Sequence, residues 1–263
     1  MHPPFLTLSI HISLRPASRV LLKEPIEASP THLRRLFDGR RRGIHPGPPH
    51  CIHSSAHPLT CYPVFILSLA ALGFSTPYNE KQQLAPVVAS CTVPNTVALT
   101  FDDGPYQYMK NIVDLLNANN AAGTFFLNGN NYGCIYDIDN TNNISYAYNH
   151  GHQIASHTWA HRDLTLLTKD EINIEMELTE DALAKITGAT PAFTRPPYGN
   201  HNNIVVEVAG SRGQSLVIWD FDTEDSEGAP VDKQKSSIDD LIARHPQSIL
   251  SLEHEVYGLS ILV

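Results

Sequence analysis

The sequence predicts an α/β protein and, within that class, a (β/α) barrel. From Cys91 onward, short apolar runs alternate with helical patterns, which implies βαβ units with right-handed crossovers and a parallel sheet. Nearly every run ends in polar, chemically capable residues: Asp102 and Asp103, Asn128 to Asn130, His157, Arg195, Asp220 to Asp225, and His254. In a βα barrel the carboxyl ends of all strands converge on one face. An open sheet would gather such residues at a single switch point, so the spread favours the barrel. A length of 263 residues with 42% hydrophobic content supplies one sizeable core.

Two segments precede the barrel. Residues 1–60 hold 7 of the 14 histidines and the run Arg40-Arg41-Arg42 without sustained periodicity, and read as a disordered or mispredicted extension. Residues 61–89 form a signal-like segment and linker. Tyr62 to Gly73 is an apolar run of the length of a signal-peptide core, placed as though the chain starts near residue 60. It implies a secreted or cell-wall protein. No run of about 18 apolar residues occurs, so no stable membrane span is expected. Cys51 and Cys61 fall in or before this leader, leaving Cys91 and Cys134 as one candidate disulfide pair whose bonding spacing alone does not establish. The sequon Asn143-Ile144-Ser145 matters only in a secreted chain.

Residues 90–263 carry the barrel. Strands are expected at Thr96–Phe101, Thr124–Leu127, Gln153–Ser156, Ala192–Thr194, Ser215–Trp219 and Ser248–Leu252. Helices are expected at Met109–Ala118, Thr141–Asn149, Lys169–Thr187, Asn202–Ser211 and Val231–Arg244. The third helix is the best marked. Thr168 and Glu171 form a capping box, Ile172, Met176, Thr179, Leu183 and Ile186 an inward stripe, and Gly188 a stop. Residues 1–80 carry 8 Lys and Arg against 4 Asp and Glu, whereas residues 81–263 carry 10 against 23. An acidic domain has little to neutralise phosphates, which excludes nucleic acid as a partner. A monomer is expected.

Several groups could carry chemistry. His157 and His161 are spaced so that a helical turn would set both imidazoles toward one cation. Adjacent side chains in a regular strand point to opposite faces, but Asp102 and Asp103 stand where a strand runs into Gly104-Pro105 and the chain turns. One carboxylate can then bind the cation and the other accept a proton, the cation making their closeness tolerable. Arg195-Pro196-Pro197-Tyr198-Gly199 is rigid, and an arginine there could grip a carboxylate bidentately. The segment Trp219 to Asp225 offers four acids, and His254 at the end of an apolar run suits a general acid tuned by a carboxylate. His150, His152, His201 and His245 read as surface or packing residues.

In order, Thr100-Phe101-Asp102-Asp103, His157-xxx-His161, Arg195-Pro-Pro-Tyr198-Gly199, Asp222-Thr-Glu-Asp225 and Leu252-x-His254 resemble the five motifs of the NodB-type polysaccharide deacetylases, carbohydrate esterase family 4. The resemblance spans roughly residues 90–255 and is most like fungal chitin deacetylases. It implies a distorted (β/α) barrel with fewer than eight complete units, and a divalent metal, usually Zn²⁺ with Co²⁺ as an alternative, held by Asp103, His157 and His161. It further implies Asp102 as catalytic base held by Arg195, the Tyr198 backbone N–H as an oxyanion donor, and His254 as general acid oriented by Asp225. Leu252 would line the pocket for the acetyl methyl, with Trp219 and Tyr198 at the substrate. The implied reaction removes N-acetyl groups from chitin or chito-oligosaccharides, leaving acetate and glucosamine units. Peptidoglycan or acetylxylan deacetylation, or an inactive carbohydrate-binding relative, are the alternatives.

Two departures from the family pattern stand out. Ser226 occupies a place where the family usually has Trp, which would open one wall of the substrate groove. Only nine residues follow His254, where the family continues through a further helix and strand. The barrel is therefore expected to be truncated at its C-terminal end and poorly stable, with exposed strand edges.

Overall fold

The computed structural model describes residues 83–257. The expectations for the extension and the signal-like run, Cys51 and Cys61 included, lie outside the described residues. No helix among the described residues is long and apolar enough to cross a membrane.

The strands are β1 (Val87–Val88), β2 (Thr96–Asp102), β3 (Gly123–Leu127), β4 (Gln153–Ser156), β5 (Phe193–Thr194), β6 (Ser215–Val217), β7 (Phe221–Asp222) and β8 (Ser248–His254). The helices are α1 (Met109–Ala118), α2 (Ile138–Asn149), α3 (Lys169–Thr187), α4 (Asn203–Ser211) and α5 (Val231–Ala243). All strands join one parallel sheet in the order β1-β6-β5-β4-β3-β2-β8-β7. Only Ile218, Trp219 and Asp220 separate β6, beside β5, from β7, beside β8. That short passage is held on both sides: Ile218 N–H donates to Val88 O at 2.8 Å and Asp220 N–H to Leu250 O at 3.0 Å. The sheet thus curls back on itself, as a (β/α) barrel requires.

Local chemistry explains the best-marked elements. In β3 every residue of Gly-Thr-Phe-Phe-Leu is buried, as expected for a parallel strand covered on both faces. Strand alternation then sorts its side chains. Phe125 and Leu127 pack outward with Met109, Ile112 and Val113 of α1, whereas Phe126 joins Ala98, Ala155, Val217 and Leu250 in an inner layer. Helix α3 begins at a complete Thr168–Glu171 capping box and ends at Gly188 in a left-handed conformation (φ 76°), as its sequence predicts.

The sequence misses β1 and β7 and overextends β6. Each missed strand has two residues, too few to display a period. Ile218 and Trp219 leave the strand because the chain there crosses from β6 to β8. Helix α2 begins at Ile138, three residues ahead of expectation. The candidate cysteine pair does not form: Cys91 keeps a free thiol, while Cys134 is disulfide-bonded. His152 is a packing residue as expected, its Nδ1 accepting from Gly123 N–H at 3.1 Å.

Register positions the site. Phe101 pairs with Phe125, and Asp102 with His254, in neighbouring ladders. Backbone bonds from His157 N–H to Leu127 O (2.8 Å) and from Arg195 N–H to Ser156 O (2.9 Å) carry the ladder past the strand ends. The carboxyl ends of β2, β3, β4, β5 and β8 therefore stand level around one mouth.

Candidate metal centre and active site

Asp102 closes β2 on its inner face, and Asp103 follows in a left-handed conformation (φ 71°). That kink removes the strand's alternation, so both carboxylates turn into the same mouth. The turn expected at the acidic pair is present, and the turning residue is Asp103 itself. The two histidines are brought together, but not by the expected helical turn. Residues 157–161 form no helical turn; they run as a loop in which Thr158 (φ 68°) and His161 (φ 52°) are left-handed. A β-branched residue at positive φ is strained, and Thr158 is buried with its Oγ1 unpartnered among the described residues. The loop is pinned from below by Glu175 of α3, whose Oε2 accepts from Ala160 N–H at 2.8 Å.

One ligand atom from each of Asp103, His157 and His161 lies within 4.8 Å of the other two. Asp103 Oδ1 is 3.2 Å from His161 Nε2 and 3.6 Å from His157 Nε2. His157 Nδ1 lies 2.7 Å from Arg195 O. A carbonyl can only accept, so the proton sits on Nδ1 and the Nε2 lone pair faces Asp103. Burial holds both imidazoles below their usual pKa, against the pull of Asp102, so both offer lone pairs near neutral pH. Burial also raises Asp103. Two neutral imidazoles and a carboxylate converging on one point are the donor set of a divalent transition-metal ion, and the residues present fit such an ion.

Arg195 is wholly buried, at 0% exposure. Its Nη1 donates to Asp102 Oδ1 at 2.8 Å and Thr100 Oγ1 at 2.7 Å, and its Nη2 to Ile218 O at 3.0 Å. The guanidinium lies 4.3 Å from the Phe126 ring centre and 5.6 Å from that of Trp219. The grip on Asp102 is therefore single rather than bidentate, because the other donors secure the β6–β7 passage. This leaves Asp102 Oδ2 open toward the mouth, 3.7 Å from His157 Nε2. Trp219 packs over Arg195 and against Gly199, where an added Cβ would lie 2.9 Å from its ring.

At the end of β8, next to Asp102, His254 Nδ1 meets Asp225 Oδ1 at 2.8 Å, and Asp225 Oδ2 accepts from His254 N–H at 2.7 Å. Burial disfavours the imidazolium, but the bond to Asp225 and the charges of Asp102, Asp225 and Asp103 outweigh it and hold His254 up at about 9. Of the four acids in the Trp219–Asp225 segment, only Asp225 reaches the site. Asp220 accepts from Leu250 N–H of β8, Asp222 from the local Glu224 N–H, and Glu224 pairs with Lys233. Ser226 is exposed beside Asp225, and its N–H donates to Asp225 Oδ1 at 2.8 Å. Leu252 is buried on the inner face of β8. Tyr198 is left-handed (φ 60°) with its ring 63% exposed and 4.8 Å from His161, and among the described residues its N–H has no hydrogen-bond acceptor.

Three contributors escaped the sequence reading. Asn131 donates to Asp103 Oδ1 at 3.2 Å and to Asn128 Oδ1 at 3.1 Å, and Asn128 in turn holds the His157 and Thr158 carbonyls. Glu175 interrupts no periodicity, because it falls on the buried side of α3 as a polar residue. Glu255 sits beneath the acidic pair. Glu175 and Glu255 are buried and Asn131 is exposed; only their fixed partners set them apart from other polar residues, and spacing does not encode that.

Comparison with known proteins agrees with this geometry. Residues 89–217 match the polysaccharide deacetylase family. A chitin deacetylase of a Pestalotiopsis species is 42% identical over 63% of this chain and 56% of its own length. A probable peptidoglycan-N-acetylglucosamine deacetylase of Arthroderma benhamiae is 42% identical over 54% of this chain and 32% of its own. The chain thus spans about half or less of these curated relatives. The solved chitin deacetylase of Colletotrichum lindemuthianum superposes with a TM-score of 0.64 at 29% identity, covering 68% of this chain and 81% of that one. The curled parallel sheet, the clustered aspartates and histidines and these matches agree, and the chain belongs to the polysaccharide deacetylases of the NodB type, carbohydrate esterase family 4.

Proposed function

We propose that this chain is a metal-dependent hydrolase that removes N-acetyl groups from N-acetylglucosamine polymers, with chitin or chito-oligosaccharides as its substrate. The observation that carries the reading is the placement of Asp102 next to His254 at one mouth, as register partners in adjacent strands, with Asp103, His157 and His161 gathered beside them. Asp103, His157 and His161 hold a divalent cation; Zn²⁺ suits two imidazoles and a carboxylate, and Co²⁺ can replace it. Bound there, the cation supplies Lewis acidity to the acetyl carbonyl and acidifies a water.

The protein's own groups complete the reaction. Asp102, its Oδ1 fixed by Arg195, takes the proton from the attacking water at Oδ2. The Tyr198 N–H, without an acceptor among the described residues, donates to the developing oxyanion. His254, protonated at neutral pH because Asp225 holds it, delivers a proton to the departing amine nitrogen. Leu252 lines the space for the acetyl methyl, and the Tyr198 ring lies at the sugar.

Acetate release from N-acetylglucosamine oligomers tests this. Release should vanish on chelation and return with Zn²⁺ or Co²⁺. Saccharide binding with no acetate at any metal load would make the chain a binding relative instead, and release from acetylxylan alone would make it an esterase. Peptidoglycan is a second substrate reading, favoured by the Arthroderma relative's name; acetate from peptidoglycan fragments but not chitin oligomers would select it. We further propose a secreted or cell-wall location, supported by the apolar run Tyr62–Gly73.

A further inference from the structure

The left-handed Asp103 has a brace that the reaction does not use. A non-glycine residue in that conformation is disfavoured and persists only when its surroundings hold it. The turn concerned runs from Asp102 to Tyr106, and one residue of β8's continuation grips both of its ends. Glu255 N–H donates to Asp102 O at 3.2 Å, while Glu255 Oε1 accepts from Tyr106 N–H at 2.7 Å. Between these two bonds the carboxyl lies hard against Gly104, where an added Cβ would stand 2.0 Å from Oε1. Glu255 is completely buried, and its Oε2 has no partner among the described residues. A buried carboxyl with an unpaired oxygen is destabilising by itself. Among the described residues, its one side-chain bond goes to the turn that carries Asp103.

We propose that Glu255 is a positioning residue: gripping the Asp102–Tyr106 turn through Tyr106 N–H and the space left by Gly104, it aims the Asp103 carboxylate at His157 and His161 and so sets cation affinity. The inference rests on the reading of those three residues as the cation site. Glu255 touches neither substrate nor cation; it acts through Asp103. Gly104 is required for room, since any side chain there would displace the carboxyl.

Zn²⁺ affinity of the full chain, measured by competition with a chromogenic chelator, tests the proposal. Glu255→Leu keeps the volume but removes the acceptor, and should weaken Zn²⁺ by about 10–100-fold, the range for groups that orient ligands. Glu255→Gln keeps an acceptor oxygen and should bind Zn²⁺ close to wild type. At saturating Zn²⁺ the KM for chito-oligosaccharide should be unchanged in both. Gly104→Ala should weaken Zn²⁺ in the wild-type background yet add nothing in Glu255→Ala, because the clash is then gone. Wild-type affinity in Glu255→Leu, or additive losses in the Gly104/Glu255 pair, would overturn the proposal. If Glu255→Leu does not fold, the Gly104 comparison decides. Absence of Zn²⁺ binding by the wild-type chain would instead sink the cation site itself.

Discussion

Asp225 and His254 form one group at the mouth, Asp103, His157 and His161 another, and the two groups are secured differently. The first pair satisfies itself: side chain meets side chain and side chain meets backbone within 2.7–2.8 Å, and His254 sits in a regular strand. The second group has no bond of that quality among its own members. Its closest internal approach is 3.2 Å, two of its three residues are left-handed, and its order comes from outside, through Asn131, Arg195 O and Glu175. A self-paired dyad holds its proton without help. A ligand set must keep its lone pairs free, so the fold stabilises its backbone and the far side of each ring instead.

The contrast is broken most directly by Asp103→Ala, which should abolish Zn²⁺ binding and with it acetate release, while leaving the Asp225–His254 pair intact. Asp102→Asn should keep Zn²⁺ but lower kcat by about 10²–10⁴, the usual contribution of a positioned base. Chelator competition beside kinetics checks both, and equal metal loss in the two variants would refute the division between ligand and base. His254→Ala should cost a similar factor in kcat without changing Zn²⁺ affinity.

A smaller effect sharpens the acid side. His254 is raised to about 9, so activity needing its proton is lost as pH rises through that value. Asp225→Asn removes a bond and a charge that raise it, while burial still lowers it. The alkaline limb of kcat/KM should therefore move to lower pH, and an unmoved limb would assign it to another group. The same linkage governs stability: the bond's contribution is full below 6.5, the ordinary value, and is lost through about 9. The smallest effect concerns Glu253, which burial raises from 4.5 to about 7. Its folded state keeps a proton that the unfolded state loses, so stability falls as pH rises across that interval. Urea midpoints of metal-free protein should decline less in Glu253→Gln than in wild type.

Most of the fold was legible because its signals are local. The α3 capping box and stripe, the continuous apolar run of β3 and the seven-residue β8 each declare themselves within one element. Both β1 and β7 did not, since two residues carry no period and their pairing depends on strands far along the chain. The site divides the same way. The chemical types of Asp102, Asp103, His157, His161, Asp225 and His254 were readable from the motifs they share with their family. The helical turn assigned to His157 and His161 was wrong because a spacing of four fits a helix or a kinked loop equally, and only packing against Glu175 and Asn128 selects the loop.

By itself, then, the sequence determined which residues end the strands and what chemistry those ends carry, because periodicity and residue type act over a few positions. Tertiary structure decided how those ends meet. It set Asp102 beside His254 through register, turned Asp103 by a left-handed kink, limited Arg195 to a single grip on its carboxylate, and seated Glu255 against Gly104. Each of these depends on contacts between segments as much as about 150 residues apart, where close packing leaves only one arrangement without a clash or an unpaired charge.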